Sequence, residues 1–349
     1  MDIQLYAQQI QELAAQIAVM KPRDTPDEDI PKQKAKLEAL FNSSEYIIED
    51  KLDGCHYYMV GYKFFSTANN EKTDNFPHLR DFFIKIGAPN LLLDGEMNYP
   101  GKTSQFCTRV TGCLPATAVA FQQSYAPIHY TIWDMLRTPT GTWIHNKPLI
   151  ERRKLLVYWY QNFVQNTPLE DYIHLTRWHD EGDKRAIADK MIDDGGEGAI
   201  LKRKQGLYLF GKNNSWEWVK YKKSDTADLF ISGYDDPKRE YKGKNYDSWT
   251  YWEGDMPVTK LWFNEWVGAL RVSAYSDGVE TYITSVSGMT EAVRAEISDN
   301  REAFLGKVIK IKCMERTEAG LPRHPRFISF HETKIAEDCT WEFEEGTNA

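Results

Sequence analysis

The chain has no run of 18 apolar residues and no basic-then-apolar pattern after Met1, so neither a membrane-spanning helix nor a secretion signal is expected. A soluble, cytoplasmic protein follows as the expectation. Cysteine is scarce: Cys55, Cys107, Cys113, Cys313 and Cys339 are odd in number, scattered and without a C-x-x-C pair. That excludes a disulfide framework and a thiolate zinc site, and leaves reduced thiols. There is no internal repeat and no low-complexity segment, which excludes a solenoid. Basic charge is not in excess either, since the formal net charge is −8. The apolar share of 42 % is ample for a packed core, and 349 residues suit two domains.

The charge is unevenly spread. Positions 202–223 carry Lys202, Arg203, Lys204, Lys212, Lys220, Lys222 and Lys223 against Glu217 alone, whereas no basic residue follows Lys334. Phosphate contact is decided by local charge and solubility mostly by the global sum, so net acidity does not exclude nucleic acid.

Ile3, Tyr6, Ile10, Leu13 and Ile17 recur at helical spacing, with Asp2 as a candidate cap and Pro22 as a stop. Pro22 to Pro31, with three prolines and four acids, reads as a loop, and a second helix is expected over Lys32 to Phe41. From Tyr46 the pattern becomes strand-rich, with strands expected at 55–65, 90–94, 128–134, 171–176 and 198–202 and helices near 76–86, 148–163 and 183–194. After Lys223, about five strands with one helix (Thr290 to Ile297) suggest a small Greek-key barrel of the OB type, and 235–260 reads as a loop inserted in it. The expected domains are a helical segment 1–40 packed on a body 41–224, followed by a barrel 225–349.

The stretch Glu49-Asp50-Lys51-Leu52-Asp53-Gly54 sits between two apolar or aromatic runs and reads as strand, tight loop, strand. A lysine beside buried β-structure and near other cations loses its proton more readily, and only the neutral amine is a nucleophile. Four segments follow in order: Leu92-Leu93-Asp94-Gly95-Glu96, Tyr130 to Leu136 with Trp133, Glu197 to Lys202, and Trp218-Val219-Lys220-Tyr221-Lys222. In the last, strand alternation puts both lysines on one face.

Together these five segments resemble nucleotidyltransferase motifs I, III, IIIa, IV and V of the ATP-dependent DNA ligases. Pro322-Arg323-His324-Pro325-Arg326-Phe327 resembles their motif VI, and Pro148 to Arg153 is also similar to the family. The resemblance covers roughly residues 40 to 334 and is that of small, two-domain phage-type enzymes. It implies an α+β fold: an ATP-grasp-like adenylation domain of antiparallel sheets with helices, then an OB-fold β-barrel. It also implies an enzyme that seals nicks in duplex DNA through a lysyl-AMP intermediate, as a monomer in the host cell of a phage, with ATP as AMP donor and Mg²⁺.

The resemblance makes Lys51 the nucleophile, with Lys220 and Lys222 as catalytic lysines on the α-phosphate and Lys202 opposite them. Glu49, Asp50, Leu52, His56, Glu96 and Trp133 would contact the nucleotide, Trp133 by stacking on adenine. Lys212 and either Arg323 or Arg326 would add phosphate contacts, and Glu96 and Glu197 would hold the metal. Two positions depart from the family pattern. His56 stands where arginine is usual and cannot offer the same bidentate fork. Phe65-Ser66-Thr67 lacks the usual arginine after serine, leaving Arg109 or Lys63 as candidates to compensate. These departures keep an RNA ligase of the same superfamily open as the alternative. A capping guanylyltransferase and an inert nucleic-acid-binding module, stacking bases on Trp249, Trp252 or Trp262, are further rivals.

Overall fold

Residues 3–26, 28, 31–212, 215–222, 225–242, 251–313, 316–317 and 319–343 are described by a computed structural model. The chain divides into two compact units, Met1–Lys222 and Lys223–Ala349.

In chain order the first unit holds α1 (Ile3–Ala14), β1 (Pro22–Arg23), α2 (Pro31–Phe41), β2 (Tyr46–Asp50), β3 (Cys55–Val60), β4 (Lys63–Ser66), α3 (Pro77–Ile86), β5 (Leu92–Asn98), α4 (Ser104–Thr111), α5 (Pro115–Ser124), β6 (His129–Arg137), α6 (Leu149–Phe163), β7 (Ile173–Leu175), β8 (Trp178–His179), α7 (Lys184–Asp193), β9 (Ala199–Arg203) and β10 (Ser215–Tyr221). They form two five-stranded sheets, ordered β1-β10-β9-β2-β8 and β4-β3-β5-β6-β7. Both sheets are mixed, because β1 runs parallel to β10 and β7 parallel to β6. The remaining pairings are antiparallel, so the expected antiparallel sheets are found with a parallel strand at one edge of each.

Alternation along the strands separates three cores. Ile10 and Ala14 of α1 pack with Tyr58, Val60, Leu92 and Trp218, residues drawn from both sheets. The opposite face of the first sheet buries Ile48, Leu201, Val219 and Tyr221 against Leu37 and Phe41 of α2 and Ala188 of α7. The opposite face of the second sheet packs Tyr57, Met59 and Leu93 against Phe83 of α3, Cys107 of α4 and Trp159 of α6.

Several boundaries move relative to the sequence reading. Helix α1 stops at Ala14, and the chain then runs on through buried Ile17, Val19 and Met20 to a strand at Pro22. The run 55–65 is broken at Gly61, whose φ of 65° makes the turn between β3 and β4. Strand β5 continues to Asn98, so Glu96 lies within it rather than at its end. Helices α4 and α5 had not been foreseen. The proposed cap Asp2 lies outside the described residues.

The second unit holds β11 (Asp225–Asp235), β12 (Tyr251–Glu253), β13 (Met256–Val258), α8 (Lys260–Phe263), β14 (Ala269–Ser276), β15 (Val279–Val286), α9 (Glu291–Asp299), α10 (Arg301–Phe304), β16 (Val308–Cys313) and β17 (Arg326–Phe330). Its main sheet runs β15-β14-β11-β16-β17. An isolated bridge joins Ser287, just past β15, to Arg326 at the start of β17. The two edges thus approach each other without forming a closed ladder. Leu229, Ile231, Leu270, Val272, Ile309 and Ile311 fill its core with Ile297 and Phe304 from the helices. Part of the segment expected as a loop forms the β12–β13 hairpin, and α8 begins at its end. Residues 243–250, Trp249 among them, lie outside the described residues.

Candidate active site

The turn after β2 is shaped by close approach. A Cβ on Gly54 would lie 2.4 Å from the Met97 carbonyl oxygen and 2.7 Å from Glu96 Cγ, so only glycine lets this loop cross β5. Lys51 is fixed from the other side, its backbone N–H donating to Gly198 O at 2.8 Å. Its Nζ is in contact with Glu197 Oε2.

Beside this lysine is a cavity of about 380 Å³, within the range of small-molecule sites. One wall is the first sheet. Register sets Glu49 opposite Ile200 and Ile200 opposite Lys220, while Lys202 stands opposite Trp218, so all five side chains share the cavity face. Lys202 Nζ lies 2.7 Å from Glu49 Oε2 and 4.3 Å from the centre of the Trp218 ring. The other Glu49 oxygen is buried without a hydrogen-bond partner. Lys220 Nζ lies 2.9 Å from Asp24 Oδ1.

His56, Glu96 and Trp133 of the second sheet form another wall. Asp94 pairs with Asp134 and Gly95 with Ile132, so Trp133 is the extra residue of a β-bulge. Bulges of this kind re-aim a side chain. Its ring centre is 5.1 Å from that of His56, and its Nε1 is buried without a partner. His56 Nε2 is 2.6 Å from Asp94 Oδ1 and Nδ1 is 2.9 Å from Thr67 Oγ1. The two departures from the family pattern are therefore bonded to each other. Burial pulls the His56 pKa down, but the charge and hydrogen bond of Asp94 outweigh it, and the net shift is upward. The other Asp94 oxygen accepts from Tyr208 OH at 2.8 Å, and that hydroxyl accepts from Met20 N–H at 3.0 Å. Glu96 is pushed up to about 7, chiefly by burial and against the opposing pull of His56 and Lys51.

The predicted residues divide accordingly. Glu49, Asp50, Lys51, Leu52, His56, Glu96, Trp133, Lys202 and Lys220 line the cavity, and Glu197 touches Lys51. Asp50 lies 3.5 Å from Arg177 Nε and 3.6 Å from His179 Nε2. Lys222, one residue past β10, and the exposed Lys212 are not in the lining. Arg323 and Arg326 belong to the second unit, Arg326 opening β17. Neither candidate for compensation is in the lining: Lys63 pairs with Glu71 at 3.0 Å, and Arg109 lies 4.8 Å from the centre of the Phe106 ring.

Of the remaining lining residues, Thr67 and Ile200 were named in the sequence without a place in the cavity, and Met20, Lys21, Pro22, Thr176 and Trp218 were missed. Trp218 was within reach, because it stands two residues before Lys220 on the same strand face. The other four carry no local signal. Among the described residues no three His, Cys, Asp or Glu side chains gather to hold a metal ion. A separate cavity of about 500 Å³ in the second unit is lined by Trp252 and Trp262.

A family model described as ATP dependent DNA ligase domain matches residues 31–222, more than half of the chain. The chain belongs to that family. It is a DNA ligase of the ATP-dependent class, and the match favours DNA over the RNA ligase alternative. The SPbeta prophage-derived DNA ligase-like protein LigB of Bacillus subtilis (strain 168) is 27 % identical over 203 residues, 56 % of this chain and 67 % of the relative. Among solved structures, Pmar-Lig_PreS3 aligns with a TM-score of 0.63 at 20 % identity, over 90 % of this chain and 67 % of that one. A structure from work on Lig E DNA ligases as minimal DNA-binding scaffolds aligns with a TM-score of 0.59 at 18 % identity, over 90 % of this chain and 99 % of that one. These likenesses give the ligase nucleotidyltransferase fold. The described residues contain no helix long and apolar enough to cross a membrane.

Proposed function

We propose that this ligase carries AMP on Lys51 and uses it to join a 5′-phosphate to a 3′-hydroxyl at a nick in duplex DNA. Lys51 Nζ releases its proton to solvent beside the other cations of the cavity, and the neutral amine attacks the α-phosphorus of ATP. An N–P bond forms as the bond to pyrophosphate breaks. An oxygen of the DNA 5′-phosphate next attacks the same phosphorus and breaks the N–P bond, leaving AMP on the DNA end. The 3′-hydroxyl then displaces AMP in line, a reaction that depends on alignment and charge neutralisation. The observation that carries this reading is the Lys51–Glu197 contact beside a cavity with the flat rings of Trp133 and Trp218, an unpartnered buried carboxylate oxygen and several cations.

In this reading Trp133 stacks on the base, the unpartnered Glu49 oxygen accepts from its amino group, and Lys202 and Lys220 hold phosphate. Lys222, Lys212 and one of Arg323 and Arg326 join when phosphates are bound. Glu96 and Glu197 are hard oxygen donors that fit Mg²⁺, which usually takes one or two carboxylates and completes its shell with water and substrate phosphate. When bound, the ion supplies positive charge against the departing pyrophosphate.

The second unit is read as an OB-type domain that grips DNA, supported by five strands whose edges meet at Ser287 and Arg326. Residues 1–40 are read as a helical segment packed on the adenylation domain, and the enzyme as a monomer. The prophage origin of LigB supports action in the cytoplasm of a phage's bacterial host.

The test is closure of a labelled nick with ATP or GTP, on all-DNA and RNA-containing duplexes. Closure with ATP on all-DNA is expected. Lys51→Ala is expected to fail on a plain nick yet still close one whose 5′ end is already adenylated. Closure of the plain nick by that variant would contradict the proposal.

A further inference from the structure

Three cations line the cavity with a carboxylate already against each: Lys51 with Glu197, Lys202 with Glu49 and Lys220 with Asp24. A fourth, Lys21, lines the same cavity and has no ion-pair partner among the described residues. Lys21 and Asp24 both come from the segment 17–26, which precedes residue 31, where the family match begins. This segment is a fixed strap. Ile17, Val19 and Met20 are buried, Gly211 N–H donates to Ala18 O at 2.6 Å, and Lys21 N–H donates to Lys212 O at 3.0 Å. Pro22 and Arg23 add a strand to β10, the strand that carries Lys220. Lys21 is thus held on a fixed backbone, and among the described residues no carboxylate pairs with it.

The Asp24 carboxylate is 76 % exposed, so its bond to Lys220 is of the weak, solvent-screened kind. A nucleotide phosphate chain carries more charge than one carboxylate and displaces such a partner at little cost. We propose that the strap is a nucleotide-binding element, in which Lys21 binds the phosphate chain and Asp24 is a counter-ion that holds Lys220 until phosphate replaces it. The inference rests on reading the cavity as the nucleotide site.

The experiment measures AMP attachment to the full chain by intact-protein mass at graded ATP with Mg²⁺, with inorganic triphosphate as competitor. Lys21→Met is expected to raise the half-saturating ATP concentration by about 5–10-fold and to weaken inhibition by triphosphate alike, the loss of one charge-assisted phosphate contact. Asp24→Asn is expected to lower it by about 2–5-fold, and Lys21→Arg to stay near the unsubstituted protein. Half-saturation unmoved in both variants, or raised in both, overturns the inference. Thermal melting identifies a variant that fails to fold, and in that case Lys21→Gln and Asp24→Ser carry the same two expectations. Absence of any adduct on the unsubstituted protein would instead defeat the nucleotide reading itself.

Discussion

Glu96 shows how one side chain can serve the site at the expense of the fold. Burial raises its pKa to about 7, well above the carboxylate's usual value near 4.5. The folded state therefore holds a proton that the unfolded chain has released, and stability falls as pH rises from about 4.5 to about 7. Glu96→Gln is expected to melt higher than the unsubstituted enzyme at pH 8, by about 1–3 kcal/mol of stability, while losing nick closure. At pH 4.5 the stability difference should vanish. Equal melting of the two proteins at pH 8 would remove the argument. His56 and Thr67 belong to the same scale. Neither can copy an arginine alone, yet the bonds from Asp94 through His56 to Thr67 turn two substitutions into one polar wall.

At the scale of elements, α6 is tied to β6 by a buried pair. Arg152 Nε and Nη2 reach the two oxygens of Asp134 at 2.9 and 2.8 Å, and both side chains are almost wholly buried. Removing one partner strands the other charge, so Asp134→Asn is expected to cost about 3–5 kcal/mol in denaturant unfolding. A loss below about 1 kcal/mol would show that Arg152 finds another partner. Strands β6 and β7 meet through His129 Nδ1 and His174 Nε2, 2.8 Å apart. Burial, then the neighbouring His174 and His78, pushes His129 down to about 4. The unfolded chain takes up a proton near 6.5 that the folded one refuses. Stability should accordingly fall between pH 6.5 and 4, by on the order of 1–3 kcal/mol, and His129→Gln should flatten that fall.

The same elements explain what was legible in the sequence. Periodicity placed most helices and strands of the first unit, and the ordered segments brought nine predicted residues to one cavity. Local pattern could not show the strap, because Met20, Lys21 and Pro22 reach the site through contacts with Tyr208 and the 211–212 turn, far along the chain. Nor could it show the bulge at Trp133, which depends on how β5 pairs with β6. The pairing of Lys51 with a carboxylate, where the sequence suggested cations, is likewise a product of tertiary approach.

For the whole molecule, a net charge of −8 must be reconciled with a polyanionic substrate. Binding is expected to rest on the local lysines and arginines, so the logarithm of nick affinity should fall steeply and linearly with the logarithm of salt concentration. An affinity unchanged between about 50 and 200 mM salt would mean that phosphate contacts are not the basis of binding. Incubating the protein with ATP and Mg²⁺ and weighing it intact should reveal a single added AMP, located on Lys51 and missing from Lys51→Ala. A protein whose mass never changes under those conditions, or a modification that persists in Lys51→Ala, would contradict the account.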